Sequence, residues 1–90
     1  MMKYVVIEYK SVEYLFTFPD SNNFTHEDFA EVAMAMKFRE CRNNWQRLRA
    51  EGEIVSAGFV NPQGQCYGRS DSLDLDYREQ DTALLASQYR

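Results

Sequence analysis

The first 20 residues carry a pattern that predicts two β-strands joined by a tight turn. Residues 3–10 and 13–18 are dense in β-branched and aromatic residues, the types that pack well on a pleated surface. The two residues between them, Ser11 and Val12, leave room only for a short connection. An antiparallel hairpin is the simplest arrangement, although its turn lacks the Asn-Gly or Asp-Gly sequence that most favours one.

Both faces of this predicted hairpin are rich in apolar residues. Successive side chains of a strand point to opposite sides, so one face carries Val5, Ile7, Tyr9, Tyr14, Phe16 and Phe18. The opposite face is not cleanly polar either, since it carries Tyr4, Val6 and Leu15. Three explanations remain open for this second face: burial on both sides of the sheet, an edge covered by the C-terminus, or a dimer contact.

A long helix is predicted to begin at about residue 26. Thr25 and Asp28 have the spacing of a capping box, and acidic residues suit the first turn of a helix. Apolar residues then recur at three- and four-residue spacing as far as residue 49, namely Ala30, Met34, Phe38, Cys41, Trp45 and Leu48. Asn43 and Asn44 have low helix propensity, so a break into two helices there is the alternative.

A second hairpin and a short helix are predicted to follow. Residues 53–61 read as a strand, residues 61–64 (Asn-Pro-Gln-Gly) as a type I turn, and residues 65–70 as the returning strand. Gly58 and Gly68 mark bulges or places where another chain segment comes close. Residues 71–76 are acidic and read as extended. Asp76 and Glu79 then offer a cap for a short helix through Gln88.

These elements predict one α+β domain over residues 1–90. Two hairpins would form a mainly antiparallel four-stranded sheet, packed by one long helix in a two-layer arrangement, with a short C-terminal helix. The order of the strands cannot be read from the sequence.

Composition narrows the class of protein and its compartment. The 90 residues are 44% hydrophobic and 27% charged with a net charge of -4, which is typical of a soluble globular domain without a global basic field. The start of the chain lacks the apolar core of a secretory signal, and no run approaches the roughly 18 apolar residues of a membrane span. We therefore expect a cytoplasmic protein that does not bind membranes.

Charge is distributed unevenly along the chain. Five cations lie on the predicted helix at residues 37–49, namely Lys37, Arg39, Arg42, Arg47 and Arg49. Five acids lie at residues 71–81, namely Asp71, Asp74, Asp76, Glu79 and Asp81. The simplest interpretation is that both groups are solvated faces of their elements.

The acidic segment is the first candidate site. Together with Tyr77, the five acids can form a negative strip that docks on a basic groove of a partner protein and speeds association through complementary fields. Under this hypothesis, reversing the charges of Asp74 and Asp76 abolishes capture of the partner without unfolding the domain.

The basic segment is the alternative candidate. Its five cations could contact phosphates of a nucleic acid, and Trp45 or Phe38 could stack on an unpaired base. Both aromatic residues also lie on the apolar stripe of the helix, where a core role explains them better. The net negative charge of the chain argues against tight binding of a polyanion.

Six tyrosines, six phenylalanines and one tryptophan exceed the needs of so small a core. Tyrosine is common both in strands and at interfaces. We expect some of the tyrosines to form a surface for a homodimer or another partner.

Catalytic, metal and cofactor motifs are not found in the sequence. His26 beside Glu27 and Asp28 reads as an exposed residue at a helix start. Cys41 and Cys66 read as small core residues, and one histidine with two distant cysteines is too few for a zinc site. Arg69 could hold a phosphate, but an arginine at a strand end is more often structural. We expect a protein that is not an enzyme and needs no cofactor or metal.

The C-terminal 40 residues resemble small uncharacterised proteins of bacteriophages and prophages. The resemblance is carried by residues 52–59 (GEIVSAGF), residues 66–73 (CYGRSDSL) and residues 81–85 (DTALL). It implies a bacterial cytoplasm and an accessory role. In that setting, a short acidic domain is expected to bind a host or phage protein, such as a component of defence or regulation.

Overall fold

The strand β1, Met2–Tyr9, lies at the centre of the fold. The computed structural model describes residues 2–20, 25–37 and 52–88. In it, β1 pairs antiparallel with β2, Val12–Pro19, on one side and with β3, Glu53–Val60, on the other. The side chains of residues 4–7 have no exposed surface, as a strand that is covered on both faces requires.

The first hairpin is confirmed, with its turn one residue earlier than predicted. Tyr9 pairs with Val12, so Lys10 and Ser11 form the turn. Their φ angles of 53° and 66° are those of a type I′ turn, which matches the twist of the flanking strands. Residues other than glycine adopt this conformation at a cost. The cost is offset here because every residue of β1 finds a partner in β2.

The second hairpin joins β3 to β4, Cys66–Tyr67. Its turn is confirmed at residues 61–64: the Gly64 amide donates to the Asn61 carbonyl at 3.0 Å. The Asn61 side chain oxygen also accepts from the amides of Gln63 and Gln65, at 3.0 and 2.9 Å. Within the described part of the chain, the sheet thus has four strands in the order β2-β1-β3-β4.

The returning strand predicted over residues 65–70 is divided in two. Gly68 has a φ of +80° and separates β4 from β5, Arg69–Ser70. β5 pairs with β6, Leu75–Asp76, in a separate two-stranded ribbon. Residues 71–74 form the turn between them, so residues 71–76 are not extended throughout.

Two helices complete the described fold. α1, His26–Lys37, begins where predicted, and its capping box is confirmed by reciprocal 3.1 Å hydrogen bonds between Thr25 and Asp28. α2 is Gln80–Gln88. The described helices have only 12 and 9 residues, so the prediction of one long helix is wrong for this part of the chain. Residues 38–49 of that prediction, including the break at Asn43 and Asn44, lie outside the described residues.

The two helices lie on opposite faces of the sheet, which corrects the two-layer prediction. On one face, Phe29 and Ala30 of α1 pack against a cluster that includes Val5, Ile7 and Phe18. On the other face, Leu84 and Leu85 of α2 pack against Tyr4, Val6, Leu15, Val60 and Cys66. The structure is therefore α+β, and of the three explanations left open for the second apolar face, the C-terminal helix provides the cover.

Gly58 is where the sheet meets the start of the ribbon. A side chain β-carbon at this position would lie 2.5 Å from the Tyr67 carbonyl oxygen and 3.2 Å from the ring of Tyr4. Atoms do not approach so closely, and the close approach predicted for this glycine is confirmed. The missing side chain leaves room for Tyr67, Tyr4 and Tyr77 to approach this position.

Candidate partner-binding surface

Residues 69–76, here called the acidic ribbon, consist of β5, the turn and β6. The ribbon is attached to the fold by its apolar residues, because Leu73 and Leu75 are half-buried against the α1-side cluster. Ser70 has no exposed surface, and its hydroxyl accepts a 3.3 Å hydrogen bond from the Leu73 amide. Asp74 has a φ of 54°, a conformation that aspartate tolerates better than most residues. The turn therefore has a defined shape.

Three aspartates of the ribbon surround one arginine. The Arg69 guanidinium contacts the carboxylates of Asp71 at 3.4 Å and Asp76 at 3.9 Å, and it also bonds to Asp74. The aspartate side chains remain 97%, 76% and 91% exposed, respectively. The hydrogen bond to Asp74, with the charges of the other two aspartates, raises the pKa of Arg69. Three carboxylates against one cation leave the ribbon negative.

Tyr77 and Glu79 extend this surface beyond β6. Tyr77 is 40% exposed, and its amide donates to the Gly68 carbonyl at 3.0 Å, which fixes it beside the ribbon. Glu79 is exposed in the turn that precedes α2. Five of the six residues predicted for the acidic site thus lie on the surface of one continuous segment: Asp71, Asp74, Asp76, Tyr77 and Glu79.

Asp81, the sixth predicted residue, has no exposed surface and does not belong to the strip. Its carboxylate accepts hydrogen bonds from the Tyr4 hydroxyl at 2.6 Å, from the Arg78 amide at 3.0 Å and from the Arg78 guanidinium at 2.7 Å. The bond to the Arg78 amide also begins α2, which explains why the helix starts later than Asp76 predicts. The sequence could not distinguish a capping acid from a surface acid in this run.

Arg78 connects this buried carboxylate to β2. Its guanidinium donates two hydrogen bonds to the Glu13 carboxylate, at 2.8 and 3.0 Å, as well as those to Asp81. The bond from Arg78 lowers the pKa of Glu13, and the bond to Glu13 raises the pKa of Arg78. Burial, together with the hydrogen bond to Asp81, raises the pKa of Tyr4. This network holds the start of α2 to the sheet, and each of its charged groups is already hydrogen-bonded within the fold.

His26 is buried, which corrects the prediction of an exposed histidine. It is only 4% exposed, and its ring lies edge-on between Phe18 and Phe59, with centroids 5.6 Å from each. Its Nε2 lies 2.8 Å from the Gly58 carbonyl oxygen. Because a carbonyl only accepts, Nε2 carries the proton. Burial lowers the pKa of His26, which favours the neutral form of the ring in the core.

A shallow pocket of about 510 Å³ separates the acidic ribbon from the start of α1. Its lining includes two cations, Lys3 and Arg69, and the aromatic ring of Phe59. Both cations are already paired: Lys3 lies 3.5 Å from Asp20, and Arg69 is held by the ribbon's aspartates. The geometry favours a structural role for Arg69 over the phosphate site considered from the sequence.

The remaining sequence candidates are placed as follows. Cys66 is a buried free cysteine whose pKa is raised by burial, as expected for a core residue, and Cys41 lies outside the described residues. Among the described tyrosines, Tyr4 and Tyr9 are buried, Tyr14 and Tyr67 are half-buried, and Tyr77 is the exposed one; Tyr89 is not among the described residues.

The basic segment falls almost entirely outside the part of the chain that the structure describes. Lys37 is the last residue of α1, while Arg39, Arg42, Arg47 and Arg49 lie beyond it. Within residues 2–20, 25–37 and 52–88, no helix is long and apolar enough to cross a membrane. The same residues contain no group of three or more potential metal ligands.

Comparison of the chain with protein-family models finds no match, and neither curated proteins nor solved structures show a significant similarity to it.

Proposed function

We propose that this chain is a small protein-binding domain that uses the acidic ribbon, with Tyr77 and Glu79, to dock on a basic surface of another protein. The observation that carries the proposal is the arrangement around Arg69: three highly exposed aspartates held on a ribbon whose leucines are anchored in the core. Their shared contacts with Arg69 place the three carboxylates close together on the surface.

Fixed charges support recognition in two ways. A pre-organised turn loses little conformational freedom on binding, so more of the interaction energy becomes affinity. An excess of carboxylates also attracts a basic partner and raises the association rate constant, in a manner that salt screens. Tyr77 adds a rigid apolar group beside the charges, as is common in interfaces.

The chemistry of the surface selects the partner's class. Carboxylates prefer the planar guanidinium groups of arginine and the ammonium groups of lysine, so the partner presents a basic patch or groove. The expected resemblance of the C-terminal 40 residues to phage and prophage proteins leads us to propose a host or phage protein as this partner. An acidic protein that covers a basic functional groove acts as an inhibitor, which is the role we propose for an accessory protein of this kind.

The test compares two variants that each remove two negative charges. In D74N/D76N, asparagine tolerates the left-handed backbone of residue 74, so the ribbon keeps its shape while losing charge. In E27Q/E53Q, two exposed acids outside the ribbon are neutralised. Tagged proteins are incubated with nuclease-treated bacterial lysate, retained proteins are identified by mass spectrometry, and affinities are then measured with the purified partner.

We expect the wild-type chain to retain a protein partner after nuclease treatment. D74N/D76N should weaken the affinity at least about tenfold, chiefly through slower association, whereas E27Q/E53Q should bind like the wild type. Equal affinities for both variants would show that the ribbon is not the contact surface. Retention of nucleic acid alone would contradict protein binding and favour the basic segment at residues 37–49.

A further inference from the structure

The outer edge of β2 is closed by one side chain from the end of α2. β2 is the terminal strand of the sheet order β2-β1-β3-β4. The Leu15 amide donates a 2.7 Å hydrogen bond to the Gln88 side chain oxygen, and the Gln88 side chain nitrogen donates a 2.8 Å bond to the Leu15 carbonyl. Residues 15 and 88 are 73 positions apart in the chain, so this contact exists only in the folded state.

A carboxamide has the same donor and acceptor as a peptide group. The Gln88 side chain therefore pairs with the backbone amide and carbonyl of Leu15 as a neighbouring strand would. The free edge of a sheet is a template on which another strand can add, and proteins commonly block such edges. Because backbone groups alternate in direction along a strand, Glu13 and Thr17 point their amides to the same side as Leu15.

We propose that Gln88 is a latch on the β2 edge and that its release lets a second copy of this chain add its own β2 antiparallel to the first. A second copy fits this edge because β2 is complementary to itself about Leu15. With Leu15 opposite Leu15, Glu13 lies opposite Thr17, so the two glutamates do not meet. Tyr14 lies opposite Phe16, and aromatic cross-strand pairs stabilise sheets.

α2 is hydrogen-bonded to β2 at both ends, which keeps Gln88 beside Leu15. At the start of the helix, Arg78 is bonded to Glu13 of β2; at its end, Gln88 is bonded to Leu15. The acidic ribbon packs mainly against β3, away from the outer edge of β2, so this inference does not depend on the proposed function.

The experiment measures the mass in solution of the wild type, Q88A and S87A by size-exclusion chromatography with light scattering, over about 10–500 μM. Ser87 is exposed and its hydroxyl bonds only within α2, so S87A controls for a change at the helix end. We expect the wild type and S87A to remain at 10.6 kDa and Q88A to reach twice that mass as concentration rises.

Amide hydrogen exchange locates the contact. In the Q88A dimer, the amides of Glu13, Leu15 and Thr17 should exchange at least about tenfold more slowly than in dilute Q88A monomer, because strand addition protects outward amides. In the wild type, the Leu15 amide should exchange more slowly than the amides of Glu13 and Thr17, because it is hydrogen-bonded to Gln88.

A second variant tests the pairing itself. Adding T17P to Q88A removes one outward amide, a change that an edge strand tolerates, and it should return the protein to the monomer. A folded Q88A that stays monomeric at all concentrations overturns the proposal. A Q88A dimer that survives T17P, or that leaves the amides of β2 unprotected, also overturns it because another surface would then be responsible.

Discussion

Ser56 and Ser70 show how the same residue, equally buried, can have opposite effects on stability. Neither has any exposed surface. The Ser70 hydroxyl accepts from the Leu73 amide and shapes the acidic ribbon. The Ser56 hydroxyl, in β3, finds no hydrogen-bond partner among the described residues. A buried polar group without a partner costs free energy that a paired one does not.

Replacing Ser56 with alanine should therefore leave the free energy of unfolding unchanged or raise it by about 1 kcal/mol, since no hydrogen bond is lost. S70A, the matched control, should lower it by about 1 kcal/mol because the Leu73 amide loses its partner. Both free energies of unfolding are measured by urea denaturation monitored by circular dichroism. If S56A destabilised the protein as much as S70A, the Ser56 hydroxyl would have to be paired.

At the scale of elements, one cation, Arg78, bonds the start of α2 to the sheet. Arg78 lies between Glu13 of β2 and Asp81 of α2, and Tyr4 of β1 completes the shell around Asp81. Apolar packing by Leu84 and Leu85 and the hydrogen bonds of Gln88 attach the rest of this helix. A buried carboxylate that is fully paired is tolerated, but one that loses its cation is strongly destabilising.

We expect R78M to reduce the free energy of unfolding by about 3–5 kcal/mol because Asp81 would remain buried without its cation. The double variant R78M/D81N should recover a large part of this loss, since it removes the stranded charge. R69M is the control on the exposed ribbon and should lose far less stability. Chemical unfolding curves distinguish the three; equal losses for R78M and R69M would contradict a structural role for Arg78.

At the scale of the whole molecule, acid should destabilise the fold in two stages. Folded-state burial lowers the pKa of His26 from its ordinary 6.5, so the unfolded chain takes up this proton first. The stability that neutral His26 contributes is present above pH 6.5 and is lost as the pH falls below it. Glu13 also has a lowered pKa, relative to an ordinary 4.5, through its bond from Arg78. Its contribution is lost at more acidic pH, by the same sign of linkage.

The first stage of acid destabilisation can be assigned to His26 because the sequence has one histidine. The melting temperature of the wild type should fall between pH 7.5 and 5.5. H26Q keeps a donor for the Gly58 carbonyl and removes the titrating group, so its melting temperature should be nearly constant over that range. A decline of the same size in H26Q would mean that other groups cause the pH dependence.

Local features of this protein were determined by the sequence itself. The hairpin of β1 and β2, the capping box of Thr25 and Asp28, and the turn that begins at Asn61 each depend on residues within a few positions of one another. Local propensity and short-range hydrogen bonds therefore suffice to predict them. The exposed acids at positions 71, 74, 76 and 79 were predictable for the same reason, since a short run of charged residues rarely finds enough burial.

The tertiary structure decided the features that depend on distant partners. β1 became the central strand, α2 covered the second apolar face, His26 and Asp81 became buried, and Gln88 closed the edge of β2. In each case, a residue of ordinary local character acquired its role from a group far along the chain, such as Gly58 for His26 or Leu15 for Gln88. Sequence periodicity indicates which faces are apolar. Which faces pack together, and which polar groups pair, depends on contacts between distant residues that form only in the tertiary structure.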